Sequence, residues 1–389
     1  MNQGSVAATV AKGSIVATDD GVAREVALKQ EAESWKAPND ASSIPFASPK
    51  DIPVLDLARY CSAFESNAEG RSLAGALEKD ASCHAADELK AARDEIAAAL
   101  CDAGQRTGFC TIQGYDAFVS KELLEQSFAA AENFHSLTES DKLQYEMDDP
   151  SKVGDVGGVG YLREQNRKLP ARTKANFNGS FIVKREHGPR NVTWDCMPWP
   201  HDSPKFDGAR FRDTVTRTAA ALERLALALL PVYAVALGLD ADYFDASFES
   251  PLLRMRLSCY PHTPPGEFGI NPHVNTSFFT LLATTDATGL VVFGHERREW
   301  LRARHIAGSM IINTGETLSR ISNDTWPATR HYALNPASEG GLGRCRYSIP
   351  FFFNPSAWAR MGVVPSCCDG GAKYVPISYL EGQGVAQGE

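Results

Sequence analysis

Asn271-Pro-His-Val-Asn-Thr-Ser-Phe-Phe-Thr-Leu-Leu282 sets a histidine and a second polar residue two positions apart, just ahead of an apolar run. On an extended chain, positions two apart share a face, so His273 and Asn275 point together. From Leu253 onward the surrounding chain breaks into short apolar or alternating runs at 254–260, 278–282, 290–293, 309–313, 330–334 and 346–353, with Gly, Pro, Asn or Asp in each gap. Short strands recurring at roughly 8 to 15 residues predict a barrel or sandwich in the C-terminal half. The last run, Arg346-Tyr-Ser-Ile-Pro-Phe-Phe-Phe353, puts Arg346 and Ser348 on one face.

Upstream the texture is helical. Residues 52–57 read as a short strand, and Leu89, Ala92, Ile96, Ala99 and Leu100 repeat at helical spacing with Gly104 where a C-cap belongs. Residues 108–112 follow as a strand, and Ser120 caps a helix carrying Leu124, Phe128 and Phe134. Thr138 and Asp141 resemble a capping box. Gly154, Gly157, Gly158 and Gly160 match neither phosphate-loop spacing and predict a flexible connection or a lid. Arg210 to Gly238, with Leu222, Leu225, Leu229 and Leu230, predicts a long scaffold helix kinked at Pro231. The chain divides into a surface-lying or mobile extension (1–48), a helical region with a few strands (49–250), the strand-rich core (251–358) and a tail (359–389).

Composition narrows the partners. Lys and Arg number 39 against 48 Asp and Glu, a net charge of −9, which leaves no basic stripe for nucleic acid. The first twelve residues lack a secretory signal, and no run of 18 apolar residues offers a membrane span. Nine scattered cysteines without a CxxC read as reduced thiols. The expectation is a soluble cytoplasmic protein acting on a small molecule, without nucleic acid or membrane partners.

The chemistry-bearing pattern is H-x-[polar] at His273 and Asn275, a distant His331, then R-x-S at Arg346 and Ser348. It suggests a mononuclear metal site beside a carboxylate site. Two imidazoles and one oxygen on one face of an iron leave three positions open for a bidentate keto acid and O2. Arg346 can clamp a carboxylate through two charge-assisted hydrogen bonds, with Ser348 adding a hydroxyl. His295 and His305 read as structural or surface histidines.

In this order the sequence resembles the isopenicillin N synthase-like and 2-oxoglutarate/Fe(II)-dependent dioxygenases. The likeness runs from Ile52 through Gly108-Phe-Cys, Phe134-His-Ser-Leu, Leu257-Ser-Cys-Tyr-Pro261, the stretch quoted first, Gly289-Leu, Ile312-Asn-Thr-Gly315, Ser322-Asn323 and His331 to Arg346-Tyr-Ser-Ile-Pro-Phe-Phe-Phe-Asn-Pro355. It implies a mainly β fold with flanking α-helices around a double-stranded β-helix, or jelly-roll, core. It further implies that His273, Asn275 and His331 are the metal ligands, with no other catalytic group, and that Arg346 and Ser348 hold 2-oxoglutarate. Tyr260 matches a family tyrosine that touches this co-substrate, and Ser258 stands where many members have Asn. Gly340-Gly-Leu-Gly343 absorbs a longer His331 to Arg346 gap as an extended hairpin loop.

One departure matters most: the family motif is H-x-D, and here it is His273-Val274-Asn275. Three explanations compete: an engineered substitution that traps an unreactive complex, a natural variant in which the amide oxygen binds or the position takes water or halide, and lost catalysis. The resemblance implies an oxygenase that uses Fe(II), O2 and 2-oxoglutarate to hydroxylate, desaturate or cyclise at an unactivated C–H bond, in secondary metabolism. The alternatives are an oxidase that binds its substrate's own carboxylate and needs no 2-oxoglutarate, and a non-catalytic ligand-binding relative. Expected substrate-facing residues are Phe351 and Phe353, taken as continuing the Arg346/Ser348 strand, with Tyr161, Arg163 and Asn178 from the Gly-rich loop region.

Overall fold

The computed structural model describes residues 37–38, 40–71, 81–147, 158–163, 176–186, 192–262, 267–285, 289–335 and 345–382. In chain order the elements are β1 (Val54–Asp56), α1 (Ala58–Arg71), α2 (Ala81–Arg106), β2 (Phe109–Gln113), α3 (Lys121–His135), α4 (Glu139–Leu143), β3 (Gly160–Leu162), β4 (Gly179–Arg185) and α5 (Gly208–Ala236). There follow β5 (Pro251–Tyr260), β6 (Ile270–His273), β7 (Phe279–Thr284), β8 (Leu290–Gly294), β9 (Glu299–Arg302), β10 (Met310–Thr314), α6 (Glu316–Ile321), β11 (His331–Ala333), β12 (Arg346–Ser356), β13 (Arg360–Met361), β14 (Ile377–Ser378) and α7 (Tyr379–Gly382). A major sheet has the order β1-β2-β10-β7-β12-β5-β4-β3, a minor sheet β6-β11-β8-β9, and β13 and β14 form a ribbon. The alternation of sequence-adjacent strands between the two larger sheets is that of a jelly roll.

Period-two alternation decides which side chains face where. Antiparallel pairing sets Ser180, Ser258, Ser348 and Thr284 in one cross-strand row, and Lys184, Arg254, Phe352 and Thr280 in another. These rows face the minor sheet. The intervening residues Val183, Met255, Leu257, Phe351 and Phe353 point outward into the apolar core under α5. That helix buries Leu222, Leu225, Leu229 and Leu230 and runs on through Pro231. By length and composition it could cross a membrane; 61% of its most apolar window is buried inside the protein, as in a core helix.

Local chemistry sets the helix ends. Ser120 Oγ accepts from Leu123 N at 3.2 Å, and Thr138 Oγ1 accepts from Asp141 N at 3.2 Å while donating to Asp141 Oδ2 at 2.7 Å. Gly104 is not the C-cap of α2, since the helix continues to Arg106. A Cβ there would run into the Trp326 ring, so the glycine admits a close indole approach. The left-handed residue that ends the helix is Gly108, at φ 66°.

The described end of the N-terminal extension is packed rather than loose. Ala47 N donates to Arg302 O and Arg302 N to Pro45 O, both at 2.8 Å, and Tyr332 donates its hydroxyl to Pro38 O at 2.6 Å. The two bonds to Arg302 cover the β9 edge of the minor sheet, which would otherwise be open to pairing. The rest of the extension, most of the Gly-rich stretch from 148 to 157, and the loop at 336–344 lie outside the described residues.

Candidate active site

Strands β6 and β11 pair with His273 opposite His331, and their ring centroids stand 4.3 Å apart. Each ring is fixed the same way. His273 Nδ1 donates to Asn271 O at 2.9 Å and His331 Nδ1 to Thr329 O at 3.0 Å. A carbonyl only accepts, so the proton sits on Nδ1 and each Nε2 carries the lone pair, the arrangement of metal-binding imidazoles. Thr329 is itself held, donating to Thr107 O at 2.6 Å and accepting from His295 Nε2 at 2.8 Å. His295 therefore braces the loop ahead of β11 and stands outside the cavity lining.

Asn275 follows β6 and is buried. Its Nδ2 donates to Thr280 Oγ1 at 3.0 Å and to Asn313 Oδ1 at 3.3 Å, while Asn313 Nδ2 donates to Thr314 O at 3.3 Å. Both amide protons are thus directed at the major sheet, and Oδ1 is the atom left to serve as a ligand. Among the described residues no group of three or more His, Cys, Asp and Glu could hold a metal. The donor set is two imidazoles and one amide oxygen. It suits a divalent iron in kind, but is neutral where a carboxylate would offset charge.

These groups open onto a cavity of about 410 Å³ between the two sheets. Arg346 is buried there, its guanidinium 4.7 Å from the Tyr260 ring centroid, and burial lowers its pKa. Gly289 makes room for it, since a Cβ would come within 3.1 Å of Arg346 Cδ and 2.6 Å of Leu334 O. Ser348 Oγ donates to the Tyr260 hydroxyl at 3.5 Å, and Ser258 Oγ bonds Ser180 Oγ at 2.9 Å. Among the described residues the lining contains Arg163, Arg254, Arg256 and Arg346 and no Asp or Glu. A buried guanidinium such as that of Arg346 favours an anionic group beside it.

The structure brings together His273, Asn275, His331, Arg346, Ser348, Tyr260, Ser258, Arg163 and Asn178 around this cavity. Asn178 is tied down, donating to Gly269 O at 2.6 Å, and Arg163 pairs with Glu146 at 2.7 Å. Three expected substrate contacts fail. Phe351 and Phe353 are an odd number of residues from Arg346 and Ser348, so the pleat turns them outward, and Phe352 lines the cavity instead. Tyr161 is packed edge-on to Phe134 and donates to Glu139 Oε2 at 3.1 Å, on the helical side of the sheet. Residues that the sequence reading missed are Thr280, Asn313, Arg254, Arg256 and Tyr379, the last from the tail. Arg256 and Arg254 could have been found by counting back in twos from Tyr260 and Ser258.

Comparison with known proteins places this geometry. Residues 251–355 match the family model described as the 2OG-Fe(II) oxygenase superfamily, and residues 80–205 match that of the non-haem dioxygenase in morphine synthesis N-terminal region. The 2-oxoglutarate-Fe(II) type oxidoreductase hxnY of Emericella nidulans is 27% identical, with 74% of this chain and 82% of that one covered. The bi-functional coumaroyl CoA and feruloyl CoA ortho-hydroxylase of Ipomoea batatas is 26% identical over 74% of this chain and 75% of its own length. Among solved structures, a full-length Neurospora crassa protein crystallised in complex with alpha-KG and thymine superposes at a TM-score of 0.67, with 22% identity and coverage of 85% and 94%. That likeness carries the double-stranded β-helix fold.

Proposed function

Because the chain belongs to the 2OG-Fe(II) oxygenase superfamily and is a non-haem iron, 2-oxoglutarate-dependent oxidoreductase, we propose that His273, His331 and the Asn275 amide oxygen hold its Fe(II) and that Arg346, Ser348 and Tyr260 hold its 2-oxoglutarate. Iron bound there supplies the activation of O2 coupled to oxidative decarboxylation of the co-substrate. The protein's part is placement. The two Nδ1–carbonyl bonds orient the imidazoles, and Arg346 offers a buried, charge-assisted contact for a carboxylate. Both sheets shield the reacting centre from water.

The reaction we assign is oxidation of an unactivated C–H bond of a small molecule in cytoplasmic secondary metabolism. Support comes from a cavity of drug-like size and from relatives named for small-molecule oxidation. The observation that carries the reading is the pairing of tautomer-fixed His273 and His331 with a buried arginine in one cavity. O2 uptake and succinate release in the presence of Fe(II), 2-oxoglutarate and a substrate panel test it. Coupled O2 consumption without succinate would instead support an oxidase that needs no 2-oxoglutarate.

The Asn275 network favours the reading of the amide as a built part of the site. An Asp there would present an acceptor to Asn313 Oδ1, and turning Asn313 would release Thr314 O.

A further inference from the structure

We infer that Tyr379, carried in by the C-terminal tail, is a substrate-contact residue: its ring walls the substrate end of the cavity, and its hydroxyl selects substrates that bear a hydroxyl or carbonyl there. The inference rests on reading this cavity as the substrate pocket. Tyr379 lines it with Thr276, Arg254 and Phe352. Its phenol meets the Thr276 hydroxyl and lies within the fields of Arg254 and Glu186. Burial raises the pKa of the phenol, so it stays a neutral hydroxyl that can donate as well as accept.

The tail holds that ring in place. β13 and β14 pair Arg360 with Ser378 and Met361 with Ile377, and Tyr379 is the next residue of the chain. Arg360 donates to both carboxylate oxygens of Glu381 at 2.7 and 2.9 Å, and Glu381 Oε2 accepts from Ser378 N at 2.7 Å. Tyr379 thus lies between two pinned residues. The surface that its ring meets is fixed too: Asn275 O accepts from Glu316 N at 2.7 Å and Thr276 O from Thr317 Oγ1 at 2.9 Å, which ties the loop after β6 to α6. Arg254, beside the phenol, pairs with Phe352, which is six residues along β12 from Arg346, roughly 20 Å of strand. Tyr379 therefore stands away from the co-substrate clamp. A substrate group held on the phenol beside Thr276 is next to Asn275 in the chain, and a carbon beyond that group can face the His273 and His331 end.

The test has two steps. The first treats the metal-free full chain with diethyl pyrocarbonate and follows His273 and His331 by peptide mass mapping, with the exposed His201 as internal reference. Tyr379→Ala should open the wall and raise modification of both histidines several-fold relative to His201, whereas Tyr379→Phe, which keeps the ring, should match the parent. Equal modification in the parent and Tyr379→Ala overturns the wall. The second step measures succinate release with Fe(II), 2-oxoglutarate and a panel of aromatic and alicyclic alcohols and ketones, each beside its parent hydrocarbon. For the best compound, Tyr379→Phe should raise KM by about threefold to tenfold, the worth of one neutral hydrogen bond, with kcat and the KM for 2-oxoglutarate held. The parent's KM and substrate ranking in Tyr379→Phe would overturn the contact, as would a fall in kcat with KM unchanged. If no compound releases succinate in any of the proteins, the oxygenase reading fails and selection by the hydroxyl falls with it, while histidine modification still decides the wall.

Discussion

The two faces of β5 and β12 differ more than any two elements of the fold. Facing out, Met255, Leu257, Phe351 and Phe353 are almost fully buried in one apolar cluster, with Phe353 stacked on Phe248 at a centroid distance of 5.1 Å. Facing in, Arg254, Arg256, Ser258, Tyr260, Arg346 and Ser348 crowd cations and hydroxyls into a cavity. Adjacent residues thus answer to opposite demands. The outer set gains by leaving water, whereas the inner set exchanges hydration for hydrogen bonds, ring contacts and the ligands the cavity receives. Stability and function should separate on these strands by residue parity.

The largest separation is expected at Phe353. Phe353→Ala should cost roughly 3–5 kcal/mol of stability through lost transfer energy and a cavity. Phe352→Ala, one residue along, should cost far less and change substrate binding instead. Urea unfolding of the two variants checks this; similar losses at both positions would break the parity picture.

A pH dependence belongs to the outer side too. His135 Nε2 donates to Leu257 O at 2.9 Å, and burial pulls its pKa from 6.5 to about 4. Between those values the unfolded chain binds the proton and the folded one does not, so stability rises with pH across this window and is lost as pH falls from 6.5 towards 4. The total change from this group is at most about 3 kcal/mol. His135→Gln should flatten the stability curve over that window; an unchanged slope would place the acid sensitivity elsewhere.

On the inner face, Arg346→Leu removes a charge-assisted contact worth about 1.5 to 3 kcal/mol, so 2-oxoglutarate affinity should fall by one to two orders of magnitude. The melting temperature should hold or rise, because a buried cation is replaced by an apolar side chain. Calorimetric titration beside thermal melting measures both. A large loss of stability with intact co-substrate binding would assign Arg346 to the scaffold.

How much of this is legible in the sequence follows the same parity. His273, His331, Arg346 and Ser348 stand there as recurring polar residues at strand spacing, and the structure sets them in one cavity. Phe351 and Phe353 mislead because aromatic character outweighs the count from Ser348. Arg254 and Arg256 escape notice because arginines read as surface until pairing shows the face they occupy. Gly104 reads as a cap because a glycine's reason for being can be a neighbour's ring, here Trp326, distant in sequence. The tail's Tyr379 and Asn275's partner Asn313 come from elements that only the folded chain brings to the site.

The smallest expected effect is the most discriminating. Asn275 donates both amide protons, to Thr280 and to Asn313, and Asn313 is locked by its own bond to Thr314 O. Asn275→Asp keeps the shape but turns one of these donors into an acceptor facing the Asn313 carbonyl. Thr280 can reverse its hydroxyl and donate; Asn313 cannot turn without abandoning Thr314 O. The metal-free variant should therefore lose about 1–3 kcal/mol of stability, the cost of one buried unsatisfied contact. Fe(II) affinity should move the other way, because the added carboxylate offsets metal charge that an amide leaves uncompensated. Melting of metal-free protein and Fe(II) titration on the same two proteins decide the matter. If Asn275→Asp is as stable as the parent without metal, the network is not built for an amide and Asn275 is a substitution in a carboxylate site. If it is less stable yet binds iron more tightly, the chain has kept an amide where its own packing asks for one.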